Sequence, residues 1–240
     1  MTNVLMVLSA ASHWTLADGT KHPTGVWAEE FLEPYRIFSE AGWKIELASP
    51  AGTAPTFDTV SLSDGGAGSA AKASEFSARI TELQNVLQHP LRLDSVNAGD
   101  YDVIFYPGGH GPMEDLAVDE DSGQLIVEAV KSNTTLGVLC HAPAALLAAH
   151  NKATGDWVLR GRKMTGFANV EEEIGGLADK AKWLVESRLV DLGADYSRAA
   201  EPFSSYMVVD GALYTGQNPA SSVAVAERIV ADKSQQLHAV

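Results

Sequence analysis

The sequence predicts an α/β protein in which helices cover both faces of a mostly parallel central sheet, a three-layer sandwich. Two observations lead to this prediction. Apolar, strand-like segments alternate along the chain with segments whose apolar residues recur at helical spacing. The strand-like segments are apolar throughout, as is typical of parallel strands buried on both faces. No repeat or linker interrupts the 240 residues, so we expect a single domain over residues 1–240.

The first half of the chain predicts three strands and two helices. Gly42 ends the first helical segment, because glycine readily takes the left-handed conformation that closes a helix. Residues 50–73 turn to Gly, Ser, Ala and Thr, which indicates a long surface connection. In chain order the predicted elements are a strand at 4–9, a helix at 25–41, a strand at 43–49, a helix at 75–87 and a strand at 101–106.

The second half begins with the same alternation and becomes less regular. Gly193 predicts the end of a helix, and the Asp210-Gly211 pair predicts the turn of a hairpin, since this dipeptide favours tight turns. In chain order the predicted elements are a helix at 124–130, a strand at 136–139, a helix at 142–149, strand character at 156–166, a helix at 183–192, a hairpin at 206–214 and a closing helix at 218–231.

The one cysteine of the chain, Cys140, stands between the strand at 136–139 and the helix at 142–149. A side chain at such a turn projects beyond the edge of the sheet, where ligands of parallel sheets bind. The positive end of the helix favours a thiolate over a thiol. We therefore predict a nucleophilic cysteine that is ionised at pH 7. A buried cysteine that acts only as a small apolar side chain is the alternative.

Two neighbouring segments supply partners for this cysteine. His141 follows it directly and can serve as its base, although adjacent side chains often point apart. The segment 107–112, Pro-Gly-Gly-His-Gly-Pro, follows another strand, and its glycines allow backbone N–H groups to face a nearby site. We expect Gly109 and His110 to contact substrate, with the N–H groups of Gly109 and His141 forming an oxyanion hole. An ordinary tight turn is the alternative.

Acidic residues in two places are candidates for the remaining roles. On the first helix Glu30 lies nearest the aromatic, buried face, whereas Glu29 points away. A carboxyl held against aromatic rings has a raised pKa and can donate a hydrogen bond to the sulfur. Three consecutive acids at 171–173 follow a probable strand, and one of them can orient His141 as the third member of a triad. Solvated carboxylates are the alternative in both places.

Composition narrows the class of function. A net charge of −14 disfavours nucleic acid or an anionic membrane surface as a partner and favours a small molecule. One cysteine allows no intramolecular disulfide, so we expect a cytoplasmic protein. We interpret the apolar run at 3–11 as a buried strand rather than a targeting segment, and no run reaches the ~20 apolar residues of a membrane span. We expect no metal site, because these histidines and acids near loop ends match no zinc spacing: His13, His22, Glu29, Glu30 and His110.

Five motifs follow one another along nearly the whole chain. They are Gly25-Val-Trp27-x-x-Glu30 with Pro34 and Ala41-Gly42, then Pro107-Gly-Gly-His-Gly, Leu139-Cys140-His141-Ala-Pro143, Thr165-Gly-Phe167 with Glu172, and Thr215-Gly-Gln-Asn-Pro219-Ala-Ser. In this order and spacing they resemble the ThiJ/PfpI superfamily. Within it the sequence is most similar to the glutathione-independent glyoxalases, called glyoxalase III, and to related heat-shock chaperones.

The resemblance implies a flavodoxin-like, class I glutamine amidotransferase-like fold and a role for each candidate residue. Cys140 is the nucleophile, Glu30 the acid facing its sulfur, His141 the proton-handling partner and Glu172 the third member of the triad. The implied activity converts methylglyoxal and similar 2-oxoaldehydes to 2-hydroxy acids such as lactate. It needs no metal, nucleotide, glutathione or other cofactor, and the resemblance implies a homodimer.

Other activities compete with this interpretation. Deglycation of aldehyde adducts would use the same cysteine. A stress chaperone or redox sensor would use an apolar surface or the oxidation of Cys140. A peptidase is disfavoured because a cysteine packed beside Glu30 leaves little room for a polypeptide. A glutamine-hydrolysing amidotransferase is disfavoured because those enzymes take the histidine of their triad from far downstream of the cysteine. Here only His150 and His238 lie downstream of the Cys-His pair.

Overall fold

The computed structural model describes the backbone of residues 2–238 and the side chains of residues 2–235. Its strands are β1 (Asn3–Val7), β2 (His13–Thr15), β3 (Lys21–Pro23), β4 (Lys44–Ser49), β5 (Leu91–Arg92), β6 (Val103–Tyr106), β7 (Thr135–Leu139), β8 (Lys163–Met164), β9 (Asp195–Tyr196), β10 (Met207–Asp210) and β11 (Leu213–Gly216). Its α-helices are α1 (Ala28–Glu40), α2 (Asp64–Ala67), α3 (Ala70–Glu82), α4 (Gln84–Leu87), α5 (Gly111–Glu114), α6 (Glu120–Ser132), α7 (Asn169–Ile174), α8 (Val185–Asp191) and α9 (Ser222–His238).

The predicted fold class is confirmed by a seven-stranded central sheet with helices on both faces. The strand order is β10-β11-β7-β6-β1-β4-β5. Every neighbouring pair in this sheet is parallel except β10 and β11, which form an antiparallel hairpin. A single domain over the full 240 residues stays a prediction.

Alternate side chains of the central strands divide the core into two apolar clusters. Along β1, Val4 and Met6 belong to one cluster, and Leu5 and Val7 belong to the other. Since successive side chains of a strand point to opposite faces, the two clusters lie on opposite sides of the sheet. Helices α1 and α9 pack in the first cluster and α6 in the second. Both faces are therefore covered, as the apolar strands predict.

The register of the central strands aligns the loops that follow them. Tyr106 of β6 pairs with Val138 of β7, and Leu139 of β7 pairs with Gly216 of β11. Because these strands are parallel, their carboxyl ends lie at one edge of the sheet. The glycine-rich segment after β6 and Cys140 after β7 therefore meet at this edge.

The first helix begins three residues later than predicted. Val26 is extended: its N–H donates to the Thr56 carbonyl, and it forms a β-bridge with Phe57. A side chain at Gly25 would collide with the same Thr56 carbonyl, so this close approach requires glycine. The helix ends as predicted, at Gly42 with φ +74°.

The predicted surface connection at 50–73 is wrong in its second half, which contains α2 and the first turn of α3. Two serines allow helices to form in this stretch of small residues. The hydroxyl of Ser63 accepts from the Gly66 N–H at the start of α2, and that of Ser69 accepts from the Lys72 N–H at the start of α3. The helix predicted at 75–87 corresponds to the rest of α3 and to α4, separated at Leu83.

The remaining differences concern short elements. Of the strand character predicted at 156–166, only β8 forms, and it pairs with β9 outside the main sheet. The predicted helix at 142–149 is a 3₁₀ segment, Ala142–Ala148. The turn of the predicted hairpin consists of Gly211 and Ala212, one residue later than expected. The predicted helices at 124–130, 183–192 and 218–231 correspond to α6, α8 and α9.

The hairpin of β2 and β3 was not predicted, because its strands are only three residues long. Among residues 2–238 we find no helix with the length and apolar character needed to cross a bilayer.

Candidate active site

Cys140 occupies a sharp turn directly after β7. Its φ is +58°, a left-handed backbone conformation that is unusual for a residue with a side chain. Two hydrogen bonds hold the turn: the Cys140 N–H donates to the Gly216 carbonyl at 2.8 Å, and the Phe167 N–H donates to the Cys140 carbonyl at 2.7 Å. The residue is 3% exposed and lines a cavity of about 580 Å³. The fold thus holds the cysteine in a strained turn at the wall of a cavity.

Glu30, in the first turn of α1, is completely buried beside this turn. The Gly108 N–H donates to its Oε2 at 2.7 Å. A side chain at Gly108 would lie 2.7 Å from this oxygen and 3.0 Å from the Cβ of Cys140, so Gly108 lies between the two residues and glycine is needed there. Glu29 points instead toward Lys72 at the cavity wall, with 3.6 Å between carboxylate and amine.

Burial and proximity determine the protonation of Glu30 and Cys140. Burial raises the pKa of Glu30 to about 8, against the opposing effects of the Cys140 thiol and the Gly108 N–H. Burial and the nearby Glu30 carboxyl raise the pKa of Cys140 well above its ordinary value. The expectation of a cysteine ionised at pH 7 is therefore wrong. The pair is protonated at neutral pH, and the thiolate must form during attack.

His141 and Glu172 continue from the sulfur as a chain of hydrogen-bonding groups. His141 Nδ1 lies 3.2 Å from Cys140 Sγ, and its Nε2 lies 2.7 Å from Glu172 Oε2. Since a carboxylate only accepts, Nε2 carries the ring proton and Nδ1 presents its lone pair to the thiol. Burial, and next the neighbouring His110, lower the pKa of His141 to about 4, so the ring is neutral at pH 7.

Only one of the three acids at 171–173 contacts His141. Glu172 is buried, and its pKa is held well below the usual range because the two neighbouring histidines outweigh the effect of burial. Glu171 is also buried, but its Oε1 accepts from the Phe203 N–H and the Asn218 amide, and its Oε2 accepts from the Ala168 N–H. Glu173 is exposed. The geometry therefore favours Glu172 as the partner of His141.

His110 and Gly109 also contact this chain of groups. His110 Nε2 lies 3.0 Å from Glu172 Oε1, so one carboxylate holds two imidazole rings. Gly109 has φ +90°, and a side chain there would collide with the Gly25 carbonyl. Its N–H donates to the Cys140 sulfur and offsets part of the rise in the pKa of the thiol. This N–H is consequently placed to stabilise negative charge beside the sulfur.

Several residues of the site were missed by sequence reasoning. The ring of Phe167 stacks on His141 with 4.1 Å between centroids, and Phe203 and Asn218 complete the cavity wall. Phe203, at φ +59°, is held by Glu171. Phe167 and Asn218 lie within quoted motifs and could have been proposed from their position, whereas nothing in the sequence around Phe203 indicates a site.

The loop-end histidines and acids considered for a metal do not form one cluster. His13 contacts Glu114 at 3.5 Å, and Glu30 contacts Gly108 and Cys140. A different set is brought together by the fold: the donor atoms of His110, His141 and Glu172 all lie within 4.8 Å of one another. These residues come from three segments far apart in the sequence, the loop after β6, the turn after β7 and helix α7, so no spacing pattern could have revealed them.

Known proteins are similar to this chain over most of its length. A model of the DJ-1/PfpI family matches residues 23–232. Glyoxalase 3 of Candida albicans is 29% identical over 96% of this chain and 98% of its own length. The glutathione-independent glyoxalase HSP31 of Saccharomyces cerevisiae is 30% identical over 95% of this chain and 96% of its own length.

Another relative and a solved structure extend the comparison. The protein/nucleic acid deglycase HchA of Staphylococcus aureus is 29% identical over 91% of this chain and 75% of its own length. The crystal structure of glyoxalase III from Candida albicans superposes with a TM-score of 0.83 at 28% identity, covering 96% of each chain.

Proposed function

Since this chain belongs to the DJ-1/PfpI family, we propose that it is a glutathione-independent glyoxalase, which converts methylglyoxal and similar 2-oxoaldehydes to 2-hydroxy acids such as lactate. The observation that carries the proposal is the arrangement of Cys140, His141 and Glu172 at the cavity, with the Glu30 carboxyl beside the sulfur. Cys140 supplies the thiol that glutathione would otherwise provide, so the reaction requires no cofactor.

In the first step the sulfur of Cys140 forms a bond to the aldehyde carbon, C1. His141 Nδ1 takes the thiol proton as the bond forms and passes it to the aldehyde oxygen, which gives a hemithioacetal. Glu30, protonated at neutral pH, donates a hydrogen bond that stabilises charge developing on the sulfur. The N–H groups of Gly109 and His141 stabilise charge on the oxygen.

In the second step the hydrogen on C1 moves to C2. His141, neutral again, removes the C1 proton, and the electron pair left behind forms the C1–C2 double bond of an enediolate whose charge lies on the C2 oxygen. That oxygen takes the proton of the C1 hydroxyl group and His141 returns its proton to C2, so that C1 becomes a thioester and C2 carries the hydroxyl. Glu30 in its ionised form is the alternative base. Water then hydrolyses the thioester, which releases lactate and restores the thiol. The sum is methylglyoxal plus water to lactic acid, with no external oxidant or reductant.

The test is glutathione-free conversion of methylglyoxal to lactate by purified protein. We expect turnover by the unmodified protein, none by Cys140→Ser, and a loss of about 10²–10⁴ in rate for Glu30→Gln, since each removes a group used in proton transfer or attack. The exposed Glu173→Gln serves as the matched control and keeps full activity. Lactate formation by Cys140→Ser at the unmodified rate would refute the proposal.

Deglycation of aldehyde adducts is a second candidate activity. HchA carries that name, and the cavity of about 580 Å³ is far larger than a three-carbon aldehyde needs. Assays in which free aldehyde is trapped separate the two activities, because only direct deglycation continues under those conditions. A redox-sensor role is less well supported, since the raised pKa of Cys140 leaves little thiolate to oxidise at neutral pH.

We also propose that the protein is a cytoplasmic homodimer, which the resemblance supports. Sedimentation equilibrium at micromolar concentration tests the dimer, and a mass equal to one chain of 25.5 kDa would contradict it.

A further inference from the structure

Three donor groups of two chemical types converge beside the cysteine. His110 ends the loop after β6, His141 follows Cys140, and Glu172 lies in the first turn of α7. Each imidazole directs its Nε2 toward a different oxygen of the Glu172 carboxylate, at 3.0 Å and 2.7 Å. The proton transfers proposed above use one imidazole and the carboxylate, and they assign no step to the second imidazole.

Neighbouring rings hold the two histidines in place. Trp14 stacks on His110 with 4.9 Å between centroids, and Phe167 stacks on His141 with 4.1 Å. The imidazoles themselves lie 3.9 Å apart, centroid to centroid. Both line the active-site cavity, and the His110 side chain is 14% exposed, so a small ion can reach the donors from the cavity.

We propose that His110, His141 and Glu172 form an inhibitory binding site for a divalent transition metal ion, with Zn²⁺ as the favoured ion. Two imidazole nitrogens and one carboxylate oxygen are a typical set of three protein ligands for zinc, with a fourth position left open. Zinc bonds of about 2.0–2.2 Å require donors about 3–3.5 Å apart, and donors already within 4.8 Å of one another reach this spacing by small side-chain rotations.

Inhibition follows from the position of one proton. In the metal-free protein, His141 Nε2 donates its proton to Glu172, and Nδ1 offers a lone pair to the thiol. An ion bound at Nε2 takes the lone pair there, so the single proton of the neutral ring must sit on Nδ1. The group facing the sulfur then becomes a donor and can no longer accept the thiol proton. The ion also removes Glu172 from its role in orienting His141.

Zinc binding is measured by calorimetry on tag-free Cys140→Ser protein, because this variant lacks the thiol to which zinc would otherwise bind. We expect one ion per chain, with affinity at least 100-fold weaker when His110→Ala or Glu172→Gln is added. His89→Ala, which removes an exposed histidine outside the site, is the matched control and leaves the affinity unchanged. Circular dichroism verifies that each variant is folded. Absence of binding to Cys140→Ser, or binding insensitive to both substitutions, overturns the site.

The inhibitory part rests on the proposed glyoxalase activity and is tested separately. We expect Zn²⁺ to stop methylglyoxal turnover and EDTA to restore it. In His110→Ala, the zinc concentration that halves the activity of that variant should be at least 100-fold higher than the concentration that halves the activity of the unmodified protein. Binding without inhibition overturns the tautomer argument but not the site. A protein without glyoxalase activity would refute the proposed function, whereas calorimetry would still decide whether zinc binds.

Discussion

Protonation at the site depends on individual residues more than on the helix that follows Cys140. The sequence predicts a thiolate stabilised by a helix terminus, but the segment after the cysteine is a short 3₁₀ stretch, and the sulfur is buried beside a carboxyl. Burial and the neighbouring acid therefore dominate. Charge appears on the sulfur only as a base accepts its proton, which makes the reaction sensitive to the protonation of Glu30 and His141.

The dependence of kcat/KM on pH follows from these two groups. His141, with a pKa of about 4, must be neutral to accept the thiol proton, so activity falls as the pH drops below about 4. Glu30, with a pKa of about 8, must be protonated to donate a hydrogen bond to the sulfur, so activity falls as the pH rises through about 8. We expect this alkaline fall to disappear in Glu30→Gln and to persist in Glu173→Gln. An increase in activity through pH 8 would instead assign Glu30 as the base at C1.

The tautomer of His141 gives a second prediction at this scale. In Glu172→Gln the amide can present its NH₂ group to Nε2, which favours the proton on Nδ1 and removes the base. We expect kcat to fall by about 10²–10⁴, with a smaller change in KM, measured by steady-state lactate formation. Glu173→Gln is the matched control, and equal activities of the two variants would contradict the role given to Glu172.

Sequence reasoning reached some of these residues and not others for physical reasons. Cys140 and His141 are adjacent at a strand end, which a pattern can reveal. The choice among the acids at 171–173 depends on where α7 begins, and its first turn is capped by the Glu171 carboxylate, which accepts from the Ala168 N–H. Placement of Phe203 depends on a bond to that same carboxylate, far away in sequence.

At the scale of elements, the long strands in the middle of the sheet were predicted more accurately than the helices. Buried strands are recognisable by their uninterrupted apolar residues, and each end of β1, β4, β6 and β7 falls within two residues of the predicted end. Helix α2 and the first turn of α3 are rich in Gly, Ala and Ser, so the sequence predicts a loop there. Their serine caps, the packing of α2 against α3 and the packing of α3 against α1 supply what composition does not indicate.

The close approach of β6, β7 and α1 gives a prediction for Gly108→Ala. The added Cβ would lie 2.6 Å from the Leu139 carbonyl oxygen and 2.7 Å from Glu30 Oε2, and the backbone oxygen cannot move away. We expect a loss of about 1–3 kcal/mol in unfolding free energy by urea titration and at least a tenfold loss of activity.

Gly99→Ala is the matched control for this substitution, because its Cβ would make only an ordinary 3.5 Å contact with the Asn97 side chain. Full activity of Gly108→Ala would show that the spacing between Glu30 and Cys140 is less restrictive than the structure indicates.

For the whole molecule, the buried carboxyl of Glu30 links function to stability. Folding raises the pKa of this group from 4.5 to about 8, so the folded chain holds the proton more tightly than the unfolded chain. Its contribution to stability is complete below about pH 4.5 and is lost as the pH rises through about 8. At about 1.4 kcal/mol per pH unit, the full loss is about 5 kcal/mol.

Glu30→Gln should therefore change how stability depends on pH. The amide oxygen can still accept from the Gly108 N–H, but the side chain carries no proton that can be lost. We expect the unfolding free energy of Glu30→Gln minus that of the unmodified protein to rise by several kcal/mol between pH 4.5 and pH 9, measured by urea titration at each pH. Glu173→Gln, which changes an exposed side chain, should show no comparable rise. A difference for Glu30→Gln that stays constant with pH would mean that Glu30 is ionised in the folded protein, which would remove the proton donor from the proposed attack.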